Sequence, residues 1–155
     1  MVNVKGKNMM NQPIVVERVY DVPVSKLWDA ISNNEQLKKW YFQISEFKPI
    51  VGFEFSFSGG AKGEYKHLCR VSEVITEKKL TYSWRYEGYP GNSFVSFELF
   101  EEGKKTKLIL THVGLESFKD AGADFAPEKF AEGWNYILGT SLKKYLEPEK
   151  ATVSP

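Results

Sequence analysis

This sequence predicts an α+β domain in which a curved antiparallel sheet wraps a long C-terminal helix. Two observations carry that prediction. Over residues 127–146, Phe130, Trp134, Ile137, Leu138, Ser141, Leu142 and Tyr145 recur at three- and four-residue steps, which places them on one helix face. Between Phe53 and His112 the apolar period drops to two, in short runs broken by turn residues, the pattern of an antiparallel meander with one wet and one buried face. The order of elements is then a strand, two short helices, about six strands and the long helix, and the gap between sheet and helix has room for a ligand.

The first strand spans residues 14–22, rich in β-branched side chains. Val16, Tyr20 and Val22 share one side with Arg18, while Val15 and Val19 share the other with Glu17 and Asp21, so the pattern does not decide which side is inward. After Pro23, the steps from Val24 to Leu27, Trp28 and Ile31 give a short helix. A second starts at Asn33, which stands three residues before Gln36 as in a capping box, and buries Leu37, Trp40 and Tyr41. Phe53, Phe55 and Phe57 alternate with Glu54 and Ser56. Tyr65, His67, Cys69 and Val71 form the next inward row, then Leu80, Tyr82, Trp84 and Tyr86, then Val95, Phe97 and Leu99, then Thr106, Leu108, Leu110 and His112. Residues 114–126 link the last strand to the long helix. Pro127 suits a first helical turn with Asp124 or Ala126 at the cap, and Pro148 marks the stop. Gly133 and Gly139 interrupt that helix at roughly 1 kcal/mol each relative to alanine. Either a tolerated defect or close approach to the sheet or a bound molecule explains them.

Bulk properties narrow the class. The chain has 155 residues, 42% hydrophobic and 26% charged, which fits one domain, taken as residues 13–147 between a flexible segment, 1–12, and a tail, 148–155. A net charge of +1 and only three arginines, Arg18, Arg70 and Arg85, speak against a nucleic-acid partner. No apolar run reaches the roughly 18 residues that cross a bilayer, so no membrane insertion is expected. The polar first dozen residues do not read as a secretory signal. One cysteine, Cys69, allows no internal disulfide and suits a reducing cytoplasm.

These residues resemble the START-like, or SRPBCC, superfamily with its helix-grip fold, and within it the group named after the C-terminal domain of the activator of the ninety-kilodalton heat-shock chaperone. The resemblance rests on residues 16–23 (VERVYDVP), 27–30 (LWDA), 35–40 (EQLKKW), 80–84 (LTYSW), 106–112 (TKLILTH) and on Gly133-Trp134, which together span about 14–146. It implies a cavity between sheet and long helix that holds a small hydrophobic or amphipathic molecule. It also implies two alternatives: a module acting on a chaperone through the exterior of the sheet, and a cyclase- or hydrolase-type enzyme using the same cavity. Monomer and dimer both fit.

Site chemistry follows from few residues. His67 and His112, the only histidines, sit on the apolar side of their strands, as satisfied core residues or as anchors for a ligand head group. Two histidines and one cysteine in no metal-binding spacing predict no metal, and no bound cofactor is expected. Cys69 could form a nucleophile dyad with His67 or His112, but no local feature lowers its pKa. No serine stands in a Gly-x-Ser-x-Gly elbow, and the glycine-rich turn at 58–63 lacks the ending of a phosphate loop. Glu54, Glu64 and Glu98 are possible acids or bases, with Glu54 and Glu98 on the wet face. Nothing demands an enzyme. The candidate ligand-binding set is Trp40, Phe55, Tyr65, His67, Tyr82, Trp84, Phe97, His112, Trp134 and Leu138, in which Tyr65, His67, Tyr82 and His112 are the polar groups of an otherwise apolar pocket.

Overall fold

Strand β1 (Ile14–Tyr20) leads into helices α1 (Val24–Ser32) and α2 (Asn34–Trp40), then β2 (Glu54–Gly59), β3 (Tyr65–Ile75), β4 (Lys79–Tyr86), β5 (Ser93–Glu102) and β6 (Lys105–Val113). Two 3-10 turns, Leu115–Phe118 and Ala123–Phe125, precede the C-terminal helical stretch. The computed structural model describes residues 12–59 and 63–148. The expected loose segments, apart from Gln12 and Pro148, and positions 60–62 of the glycine-rich turn lie outside these residues. The strands form one antiparallel sheet in the order β1-β6-β5-β4-β3-β2, so the first strand pairs with the last and five, rather than about six, follow the short helices. A register shift in β3 between Val71 and Glu73 is a bulge, which adds local twist and bend to a sheet that must curve.

Alternation holds along the strands. Phe55, Phe57, His67, Cys69, Val71, Tyr82, Trp84, Tyr86, Val95, Phe97, Leu99, Leu108, Leu110 and His112 all face inward and are buried. In β1 the structure settles the choice that the sequence leaves open: Val16 and Tyr20 are buried, while Val15 and Val19 are exposed. Arg18 shares the inner side because it sits at the sheet edge, where Nη2 donates to Asn135 Oδ1 at 2.7 Å and Nη1 to the Glu17 carbonyl at 2.9 Å.

Asn33 caps α2 as expected, accepting from the Gln36 N–H at 3.0 Å. Gln36 Oε1 instead accepts from the Tyr145 hydroxyl at 2.9 Å, which ties α2 to the end of the chain. The long helix starts where Pro127 predicts, with Ala126 at the N-cap. It is not uniform: α3 (Pro127–Tyr136) passes into a π segment, Ile137–Leu142, before α4 (Lys143–Leu146). Within the widened segment the Leu138 carbonyl accepts from the buried Tyr20 hydroxyl at 2.7 Å, so a strand side chain fixes the helix there. Gly139 belongs to the same junction. A Cβ on it would stand 3.3 Å from both Nε and Nη2 of Arg18, so close approach to the sheet accounts for this glycine. Past the last turn, buried Glu147 accepts from the Asp21 N–H at 2.8 Å and from Lys143 Nζ at 3.2 Å, pinning the helix end to the corner after β1.

Candidate functional site

Gly133 differs from Gly139: nothing lies within 4 Å of where its Cβ would be. It faces a cavity of about 410 Å³ between the inner side of β3 and β4 and the first half of the long helix. The sheet supplies Tyr65, His67, Trp84 and Tyr86, the helix supplies Phe130, Trp134 and Ile137 with Gly133 and Lys129, and Phe42 closes the inner end. Phe125 and Asp124, from the second 3-10 turn, form the rim with Glu64. Alternation explains the sheet contribution and three- and four-residue spacing the helical one. The volume lies within the range of small-molecule sites. A hollow of about 460 Å³ on the outer face, lined among others by Glu54, Ser56, Arg70, Ser83 and Arg85, is bordered by exposed and half-buried polar side chains rather than lying between layers.

Four of the sequence-predicted residues, Tyr65, His67, Trp84 and Trp134, line the inner cavity. Trp40, Phe55, Tyr82, Phe97, His112 and Leu138 do not: they are buried core. Trp40 Nε1 donates to the Ala30 carbonyl at 2.9 Å, the Tyr82 hydroxyl pairs with that of Tyr41 at 2.7 Å, and Phe55 meets Tyr82 edge to face at 5.0 Å. The space therefore does not run the length of the helix. Its second half is filled by Leu138 and Leu142, both fully buried, and is held against β1 through Arg18 and Tyr20. Phe42, Glu64, Tyr86, Asp124, Phe125, Lys129, Phe130, Gly133 and Ile137 complete the lining and were not in the candidate set. Periodicity offers Tyr86, Phe130 and Ile137; Phe42, Asp124 and Phe125 come from irregular segments that carry no such signal.

Hydrogen bonding orders the polar groups. The Trp134 indole N–H donates to His112 Nδ1 at 3.0 Å, so Nε2 carries the proton and donates to Ser93 Oγ at 2.8 Å, and that hydroxyl donates to the Trp84 carbonyl at 2.7 Å. This relay is buried and complete, and burial lowers the His112 pKa to about 3. His67 stacks on Phe57 at 4.4 Å and 18°, and its Nδ1 donates to the Tyr65 carbonyl at 3.2 Å. Burial lowers its pKa to about 4. Gly59 makes room for it, since a Cβ there would fall 2.7 Å from His67 Cε1. At the rim the Tyr65 hydroxyl donates to Asp124, and that bond pushes the phenol up to about 12. Asp124 thus holds the rim, and the helix cap falls to Ala126. Burial pushes the Cys69 thiol up, which keeps it protonated and removes the basis for a nucleophile dyad. Among the described residues no group of three or more His, Cys, Asp or Glu side chains could hold a metal ion, and no helix is long and apolar enough to cross a membrane.

A curved antiparallel sheet covered by one long helix, with an aromatic hollow between them, defines the helix-grip class of α+β domain. The sequence pattern of the family described as "Activator of Hsp90 ATPase homolog 1-like protein" matches residues 21–147, and the chain belongs to that family. Solved structures of similar shape include a protein from Mesorhizobium loti, 26% identical over 88% of this chain and 98% of its own, with a TM-score of 0.74. CalU16 from Micromonospora echinospora is 25% identical over 90% of this chain and 78% of its own, with a TM-score of 0.69. The Aha1 dimer from Colwellia psychrerythraea, at 23% identity over 88% of this chain and 96% of its own, with a TM-score of 0.69, shares the fold. Among curated proteins none matches the chain.

Proposed function

We propose that this domain binds a small hydrophobic or amphipathic molecule in the cavity between the sheet and the first half of the long helix. The observation that carries the reading is Gly133. Beside the packed face of Trp134, Leu138 and Leu142, exposed Gly133 stands in the lining of the aromatic hollow with open space where a Cβ would be, so the helix leaves the hollow accessible there. Binding rather than turnover suits the interior. His67 is neutral at physiological pH and, with its pKa near 4, a weak proton acceptor. A reducing cytoplasm suits the single thiol.

A thermal-shift screen of polycyclic aromatics, sterols and fatty acids tests the reading, with native mass spectrometry of freshly purified protein to detect a molecule carried along. A true ligand at a free concentration one hundred times its Kd stabilises the fold by about 2.7 kcal/mol. Gly133→Leu, which fills the hollow, should abolish the shift. Binding that survives the substitution places the site elsewhere.

The outer face of the sheet favours a second reading, a module that acts on a chaperone. Phe94 and Val113 face each other across β5 and β6, and both stay exposed. Phe94→Ser should weaken co-sedimentation with the purified ninety-kilodalton chaperone while leaving ligand binding intact. No co-sedimentation by the unaltered protein would end that reading.

A further inference from the structure

We infer that the cavity selects flat aromatic molecules carrying a neutral carbonyl oxygen, and that the Tyr86 hydroxyl donates to that oxygen. The inference rests on the reading of the cavity as a ligand site and adds what kind of ligand it takes. Trp84 Nε1 lies 2.7 Å from the Tyr86 hydroxyl, and both residues line the cavity. An indole N–H only donates, so the Tyr86 oxygen is the acceptor in that pair and its own proton is directed elsewhere. No hydrogen bond among the described residues takes that proton. A buried donor left in this condition is costly, and a ligand acceptor relieves it. Burial pushes the phenol well above its usual range, so the hydroxyl stays a donor across physiological pH.

The walls set the rest of the shape. The rings of Trp84 and Trp134 stand 5.4 Å apart at 56°, those of Tyr86 and Phe125 4.7 Å at 68°, and those of His67 and Tyr86 4.6 Å at 61°. Inclined aromatic walls present both faces and edges to a guest, the arrangement in which another aromatic ring gains most beyond simple burial. The rim argues against a carboxylate. Among the described lining residues it carries two acids, Glu64 and Asp124, and one cation, Lys129, so a carboxylate meets no surplus of positive charge there.

Fluorenone and fluorene, tricyclic aromatics that differ in the carbonyl oxygen, test this by isothermal titration, with palmitate as a third probe. The unaltered protein should bind fluorenone about two- to tenfold more tightly than fluorene, the worth of one neutral hydrogen bond. The carbonyl stretch of bound fluorenone should fall below its value in hydrocarbon solvent. In Tyr86→Phe both effects should vanish while fluorene binds as before, which also shows that the variant is folded. Fluorene bound as tightly as fluorenone by the unaltered protein, with Gly133→Leu abolishing both, would keep the cavity and overturn the carbonyl assignment. Palmitate bound as tightly as fluorenone would overturn the aromatic preference. Failure of both tricyclics to bind, or binding indifferent to Gly133→Leu, would overturn the cavity reading and this inference with it.

Discussion

Lowering the pH from 7 to 5 should remove a large part of this protein's stability, and two buried imidazoles are the reason. Both rings gain protons near 6.5 once the chain unfolds, whereas in the folded state burial holds His67 at about 4 and His112 at about 3. The unfolded chain therefore binds more protons than the native one between these limits. Stability contributed by the neutral rings is complete above about pH 6.5 and falls as pH drops toward the native pKa values. At pH 5 the loss is about 2 kcal/mol for each ring, or about 4 kcal/mol together, against the roughly 5–15 kcal/mol that holds a domain folded. Most carboxylates titrate lower, so the window from pH 6.5 to 5 isolates the histidines. Urea titrations at half-unit steps would measure the slope. His67→Phe, which keeps the ring stacked on Phe57, should halve it. The mechanism in His112 is specific: protonating Nδ1 would set a second N–H against that of Trp134. A native imidazole resonance that titrates near pH 6.5 for either residue, or a flat stability profile across the window, would refute the reasoning.

Gly133→Ala should stabilise the domain by about 0.5–1 kcal/mol, because the helix gains propensity and no atom meets the new Cβ, and a urea midpoint that falls would contradict the geometry. Gly139→Ala should destabilise it, since the added carbon presses on the Arg18 guanidinium; an unchanged midpoint would mean that Arg18 moves aside freely. Trp134→Ala should cost roughly 3–5 kcal/mol, while Lys144→Ala on the exposed side should stay within about 0.5 kcal/mol, and equal losses would mean that the helix face is misassigned. Cys69 should react with a thiol reagent slowly in the native state and quickly in urea, and rapid native labelling would show that it is accessible.

Periodicity made the sheet and the helix legible because each side chain inside is apolar for one reason, burial, and burial repeats with the backbone. The inner rows from Phe55 to His112 and the helix face from Trp134 to Leu142 follow from that repeat alone. It is silent where two forces compete. Arg18 lies on the inner side of β1 because the edge of the sheet lets its guanidinium find Asn135, a partner 117 residues away. The π segment follows from that junction too, and no local propensity encodes it. The cavity was legible in part for the same reason. Tyr65, His67, Trp84 and Trp134 were singled out because they are aromatic or polar and face inward, but Phe55, Tyr82, Phe97 and His112 meet the same description. What separates the two groups is what packs on them: Phe55 and Tyr82 are covered by Phe47 and Tyr41, and Phe97 and His112 lie against Trp134, whereas Tyr65, His67 and Trp84 border the hollow. That is a property of how the helix and the loops are set on the sheet, and alternation along a strand cannot report it. Phe42, Asp124 and Phe125 arrive from loops whose paths the pattern leaves open.

The pairing of β1 with β6 has a consequence in time as well as in space. Its register joins Ile14 to His112 and Tyr20 to Thr106, so β1 waits for β6, its one neighbour among the described residues, until the four strands between them have been made. The short helices can form at once, and each hairpin from β2 to β6 closes over a modest loop. Until β6 emerges, β1 has an unsatisfied edge on both sides and Val15, Val16 and Val19 bare. Long loop closure slows folding, and an open apolar strand is what a nascent chain of this kind exposes to aggregation. The sheet thus completes only when the first strand meets the last, with Val16 and Tyr20 set against Leu110 and Thr106.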